Sequence, residues 1–91
     1  MSDRVERGLQ RILAEVSRRQ PAAVAALPEE TSLFDGLGLD SLAGAHLITA
    51  VLAEFGVDIA LEDLNLDSLE TIATLRDFVA ARTDRNADLN T

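Results

Sequence analysis

Few groups in this sequence could do chemistry. His46 is the single histidine and there is no cysteine among the 91 residues, so thiolate chemistry and a structural zinc site are both excluded. Ser41 is the best-placed hydroxyl, five residues before His46. On one helix, five steps of about 100° leave the two side chains roughly 140° apart around the axis, so they do not make a Ser–His dyad. The adjacent carboxylates Glu29/Glu30 and Glu62/Asp63 read as solvated surface groups, not as a general acid and base. Gly36-Leu37-Gly38 lacks the third glycine of a dinucleotide fingerprint and the lysine of a phosphate loop. No Asp-x-Asp-x-Asp-Gly calcium loop is present. This inventory argues against an enzyme and leaves one serine in the first turn of a helix, behind a glycine-containing loop. The first backbone N–H groups of a helix are unpaired and its macrodipole is positive there. A phosphate esterified to such a serine would sit in a favourable field.

The elements that must position Ser41 follow from apolar spacing. Val5, Leu9, Ile12, Leu13 and Val16 recur on one face of a 3.6-residue period, a first helix with Ser2 or Asp3 as cap and Pro21 as its boundary. Ala22 to Leu27 forms at most a short helical turn. The stretch to Leu39 is a long loop whose Leu33, Phe34, Leu37 and Leu39 are too apolar for a solvated linker, so it packs on the core. A connection of that length in a small domain is usually functional. Asp40 caps a second helix that reaches Phe55 and stops at Gly56. Its buried stripe is expected to be Ile48, Val51, Leu52 and Phe55, with Leu47 beside it. Val57-Asp58-Ile59 is a connector and Leu61–Leu64 makes one or two turns. Asp67 and Glu70 resemble a capping box for a last helix carrying Leu69, Ile72, Leu75 and Val79. No strand alternation is sustained. The fold expected is all-α: a small bundle of three main helices and one short one, with a long loop between the first two. Residues 1–82 form the domain and 83–91 a polar, frayed tail.

Charge narrows the partners. Residues 1–20 hold five Arg and three acids, residues 21–75 hold ten acids and no Lys or Arg, and residues 76–91 balance at three each, for a net charge of -8. The centre is therefore a poor nucleic-acid binder and attracts basic protein surfaces instead. No apolar run approaches the roughly 20 residues of a membrane span, and the first residues lack a secretory h-region. A cytoplasmic monomer is expected.

Asp35-Gly36-Leu37-Gly38-Leu39-Asp40-Ser41-Leu42, followed by a helix and then Glu54-Phe55-Gly56-Val57-Asp58-Ile59, resembles the acyl carrier protein family from about Val5 to Ala81. The resemblance implies an acyl-carrier-like bundle in which a phosphopantetheinyl transferase esterifies Ser41 with 4'-phosphopantetheine from coenzyme A, Asp40 and Leu42 flanking it in the motif. The thiol of that arm would carry cargo as a thioester to loading and synthase enzymes, and the protein itself would catalyse nothing. The size is similar to that of a free-standing carrier. Asp67-Ser68-Leu69 repeats the triplet without the Gly-Leu loop, and Ser68 reads as an ordinary helix cap.

The departures from the family pattern point to a pathway. Where the family commonly carries acids after the serine, this helix has Glu54 as its only acid beyond Asp40. That favours polyketide or other secondary-metabolite assembly over the fatty-acid docking pattern. A peptidyl carrier of nonribosomal peptide assembly is the near alternative, and an unmodified acidic helical adaptor the alternative from another class. Leu42, His46 and Thr49, at i, i+4 and i+7, share one side of the helix and are the expected partner-facing strip. Gly44 in the first turns reads either as room for the arm or a partner, or as a tolerated glycine.

Overall fold

The computed structural model of the chain describes the backbone of residues 3–89 and the side chains of residues 4–83. Helix α1 spans Asp3–Ser17 and buries Val5, Leu9, Ile12 and Leu13, with Val16 half-buried, the stripe its spacing predicts. Its expected caps, Ser2 and the Asp3 side chain, lie outside the described residues. The helix ends before Pro21. Arg18 takes a left-handed φ of 58° and the Arg19 N–H donates back to the Ala14 carbonyl at 2.9 Å, the 6→1 bond that closes a helix. Pro21 then heads the short helix α2, Pro21–Ala25; its missing N–H costs nothing at a first helical position. Val24 is the residue that α2 gives to the core.

The long loop is part of the core, as its apolar content requires. Leu33, Leu37 and Leu39 are buried, and the loop backbone is bonded to the segment before the last helix. The Leu33 N–H donates to the Glu70 carbonyl (3.1 Å), the Ile72 N–H to the Thr31 carbonyl (3.1 Å) and the Ala73 N–H to the Glu29 carbonyl (2.8 Å). Ser32 and Thr71 form an isolated antiparallel bridge; no strand occurs among the described residues. Phe34 departs from expectation. It is 41% exposed, and its ring lies over Gly44.

Helix α3, Ser41–Phe55, has the two ends the sequence predicts. The Asp40 carboxylate accepts the Ala43 N–H at 2.8 Å. Gly56 adopts φ 69° and donates to the Leu52 carbonyl at 2.9 Å, a left-handed stop that a side chain would disfavour. Its inward line, however, is Gly44, Leu47, Val51 and Phe55. Ile48 is half-buried and Leu52 is exposed, so the expected stripe is rotated. Nearly every turn of α3 is apolar on several sides, and period alone does not select which apolar line faces inward. Close packing against α1 selects it: a Cβ on Gly8 would lie 2.6 Å from the Phe55 ring.

Val57 and Ile59 are fully buried, so the connector after α3 is a core segment. Helix α4 is Ile59–Glu62, starting earlier than the spacing suggested. Asp58 caps it by accepting the Leu61 N–H at 3.2 Å. Asp67–Leu69 is a 3-10 turn and α5 runs Ile72–Leu89. The expected capping box at Asp67 and Glu70 is not made. The Glu70 carbonyl is taken by Leu33, and Thr71 and Thr74 cap α5 reciprocally: the Thr74 N–H donates to Thr71 Oγ1 (3.1 Å) and the Thr71 N–H to Thr74 Oγ1 (2.9 Å). The backbone of α5 is helical through Leu89, past Thr83, where the apolar spacing stops. Arg, Ala, Asp and Leu follow without Gly or Pro, and propagation from an existing helix needs no new nucleus. Leu69, Leu75 and Val79 are core residues, with Ile72 packed against them. Among the described residues no helix is long and apolar enough to cross a membrane.

Candidate functional site

Ser41 is the first residue of α3 and is exposed. Everything that fixes its position lies in the preceding loop and first turn. Leu37 and Leu39 are pinned in the core, and the Leu39 N–H reaches the Leu33 carbonyl at 3.4 Å. Asp40 follows in extended geometry, its carboxylate on the Ala43 N–H and its carbonyl accepting the Gly44 N–H at 2.9 Å. Those two bonds satisfy the third and fourth N–H groups of the helix. Among the described residues the N–H groups of Ser41 and Leu42 meet no acceptor. A hydroxyl beside two free donors at the positive end of a helix suits a phosphoester, whose oxygens are acceptors.

Gly44 packs against the loop. It is buried, and a Cβ there would stand 3.4 Å from the Phe34 ring. Phe34 from the loop lies over the first turns of α3 at this glycine, at a distance where an added methyl would make ordinary contact.

The expected partner-facing residues lie where the spacing put them on the helix. Leu42 is 66% exposed, and His46 and Thr49 are exposed. Ser41 and His46 share no hydrogen bond, in keeping with their angular separation. Glu54, the one acid of α3, is turned toward α1. Its carboxylate pairs with Arg11 at 2.8 Å, and its carbonyl accepts from Arg4 at 3.0 Å. The exposed strip of Leu42, His46 and Thr49 beyond Ser41 therefore carries no carboxylate.

Ser68 is in a different situation from Ser41. It is 4% exposed, inside the 3-10 turn, and it does not cap a helix as its sequence context suggested. Its hydroxyl has no aligned hydrogen-bond partner, while its backbone N–H donates to Asp63 Oδ2 at 2.7 Å. Ser68, through the nearness of its hydroxyl and then through that N–H, holds the Asp63 carboxyl below its ordinary value. Spacing alone did not separate the two serines this far; the signal available was the missing glycine loop before Ser68.

Two features have no signal in residue spacing. One is the seating of Phe34 on Gly44. The other is a group of leucines after α3: Leu61 is 73% exposed, Leu64 82% and Leu66 41%. Residues at alternate and third positions around them, Val57, Ile59 and Leu69, are buried, so the pattern of this segment reads as equally apolar whichever side faces water. Among the described residues no group of His, Cys, Asp and Glu is placed to hold a metal ion.

Comparison with protein families matches residues 7–81 to the phosphopantetheine attachment site. Comparison with curated proteins and with solved structures found no match.

Proposed function

Because the chain belongs to the phosphopantetheine attachment site family, whose members carry covalently attached 4'-phosphopantetheine, we propose that Ser41 takes the group and that the protein is an acyl carrier. The observation that carries the assignment is the contrast between its two Asp-Ser-Leu triplets. Ser41 stands exposed at the head of a 15-residue helix, and Ser68 is buried in a 3-10 turn. A transferase that must bring coenzyme A to a hydroxyl reaches the first and not the second.

In the modification, the Ser41 Oγ–H bond breaks and an Oγ–P bond forms as the pyrophosphate P–O bond of coenzyme A breaks. Adenosine bisphosphate leaves, and the proton goes to a base on the transferase. The bound group supplies a terminal thiol that holds cargo as a thioester. The chain's own contribution is positional. Asp40 fixes the first turn, Leu37 and Leu39 anchor the loop, and the Ser41 and Leu42 N–H groups, without acceptors among the described residues, are left available to a phosphodiester on Ser41. Carrier domains of this kind are generally non-catalytic. The protein works in the cytoplasm as a monomer, with the transferase and acyl-loading and synthase enzymes as its partners. Leu42, His46 and Thr49 meet them around Ser41.

The neutral strip on α3 supports polyketide or other secondary-metabolite assembly as the pathway. An aminoacyl cargo on the same arm is the second reading, and the Asp before Ser41 favours the acyl one. The test is intact mass. Apo protein, coenzyme A, Mg²⁺ and a broad-specificity phosphopantetheinyl transferase should give a gain of one phosphopantetheine unit. The holo protein is then offered to an acyltransferase with malonyl-coenzyme A and, separately, to amino-acid adenylating enzymes with ATP. Loading by the former alone supports the acyl reading; loading by the latter alone overturns it. A chain that never gains the arm would be the acidic adaptor instead.

A further inference from the structure

Helix α1 carries the cations of a chain that is otherwise anionic. Residues 21–75 hold ten acids and no Lys or Arg, whereas Arg4, Arg7 and Arg11 recur along α1 at i, i+3 and i+7, the spacing of one helix face. Arg18 follows at i+14, just past the helix end. All four are exposed, and their line looks toward α3. Arg11 pairs with the Glu54 carboxylate at 2.8 Å. Arg4 donates to the Glu54 carbonyl at 3.0 Å, and its guanidinium lies 5.2 Å from the centre of the Phe55 ring. At the other end, Arg18 lines a surface groove together with Asp40, Leu42, Ala43 and His46, residues on either side of Ser41. The arginines therefore flank the exposed strip of Leu42, His46 and Thr49.

Two observations set the polarity of this face. The first is the treatment of its acids. Glu54, the only acid of α3, is held by arginine and does not greet a partner. Glu15 falls in the same line between Arg11 and Arg18. Four arginines thus stand against two carboxylates, a cationic face on a chain whose net charge is -8. Screening over about 10 Å makes the nearest charges the ones a docked partner meets. The second observation is Arg18. Its φ of 58° lies in the left-handed region that a side chain disfavours, and glycine is the usual residue at such a helix stop. A long cation stands there instead. Among the described residues it makes no ion pair. Strain retained at an exposed residue is a pointer to function.

We propose that this α1–α3 face docks the enzyme that loads the arm on Ser41, and that the enzyme's contact surface carries carboxylates around an apolar centre. Leu42, 66% exposed, supplies the apolar contact, and Arg7, Arg11 and Arg18 supply the charged rim. A cationic surface is rejected here, because like charges brought together across an interface cost several kcal/mol. This partner follows only if Ser41 carries the arm, which is what brings a loading enzyme to this end of α3. The addition is the sign of the partner's charge and the helix that reads it.

The experiment is the loading of holo protein by an acyltransferase with malonyl-coenzyme A. Initial rates are read by intact mass at rising NaCl, with thermal unfolding of each variant alongside. Wild-type kcat/KM should fall as salt rises. Arg18→Glu and Arg7→Glu should each lower kcat/KM about fivefold or more, through KM, since reversal removes an attraction and adds a repulsion. Both should flatten the salt dependence, and Arg18→Lys should keep most of the rate. Arg18→Gly relieves the backbone, so it should hold or raise Tm and still lower kcat/KM, a split that a merely structural role would not produce. Ala22→Glu is the control for net charge. Ala22 is exposed on α2, which borders α1 on the side of Glu6, Gln10 and Leu13, and the variant should load as wild type does. Wild-type or faster loading of both charge-reversed variants overturns the proposal, as does a rate indifferent to salt. An Ala22→Glu protein as slow as Arg18→Glu overturns it too, because net charge alone would then explain the loss. A wild-type dimer in sedimentation that Arg18→Glu dissociates, with loading rates equal, makes a second copy the occupant. Retardation of a short single-stranded RNA that Arg18→Glu abolishes, with loading rates equal, makes it a nucleic acid. Either result overturns the acidic enzyme. Failure of the underlying reading looks different: no protein gains the arm, or Ser41→Ala gains it.

Discussion

The loop before Ser41 should behave as core, and Leu33 is the residue that tests it. Its side chain is fully buried (0% exposed), and its backbone N–H is held by the Glu70 carbonyl at 3.1 Å. Leu33→Ala removes three carbons from a packed site and leaves a cavity, which costs about 3–5 kcal/mol for a leucine in such a position. A chain of this length has about 5–14 kcal/mol of total stability, so the loss is a large fraction of it. At roughly 4–8 °C per kcal/mol for a domain of this size, even the lower figure drops Tm by ~12–24 °C. Leu64→Ala is the matched control. The same atoms are removed from a side chain that is 82% exposed, and the expected change is within about 0.5 kcal/mol. Urea unfolding followed by far-ultraviolet circular dichroism measures both. A Leu33→Ala protein within about 1 kcal/mol of wild type would mean that this loop is not packed, and the argument that it fixes Ser41 would fall with it.

Three more outcomes follow from particular contacts. Thr71→Ala removes the acceptor of the Thr74 N–H and should cost about 1 kcal/mol, whereas Thr71→Ser should recover most of it; Tm comparison decides. The lowered carboxyl of Asp63 contributes stability that is complete above its ordinary value of 3.8 and is lost as pH falls through the lower folded value. Asp63→Asn should therefore flatten the acid limb of stability against pH, and an unchanged limb would show that the Ser68 contact is not made in solution. The surplus of acids should also make Tm rise with NaCl or millimolar Mg²⁺; a flat titration would mean that the carboxylates are too dispersed to repel.

Most of the architecture that places Ser41 was legible, because its signals are local and one-sided. Asp40 caps through its carboxylate and Gly56 stops the helix through a left-handed φ, two roles that only a few residue types suit. The α1 stripe is flanked by arginines, so only one face could turn inward. Where the sequence offered two apolar faces, local reasoning had nothing to choose with. In α3 the inward line passes through Leu47 and not Leu52, because Phe55 must meet Gly8 across the α1 contact. In residues 57–69 the buried set is Val57, Ile59 and Leu69, and Leu61, Leu64 and Leu66 are left out. The start of α5 was misplaced for a related reason. Asp67 and Glu70 have the residue types of a capping box, but the Glu70 carbonyl pairs with Leu33 across 37 residues of chain. That long-range bond hands the cap to Thr71 and Thr74. At the candidate site, the serine and its helix were readable. The seating of Phe34 on Gly44 and the burial of Ser68 were tertiary outcomes.

The central claim is that Ser41, and not Ser68, receives the phosphopantetheine arm. Apo wild type, Ser41→Ala and Ser68→Ala, each incubated with coenzyme A, Mg²⁺ and the transferase and read side by side by intact mass, test it most directly. The account predicts one added phosphopantetheine unit on wild type and on Ser68→Ala, and none on Ser41→Ala. A gain on Ser41→Ala, or its loss on a folded Ser68→Ala protein, would contradict it.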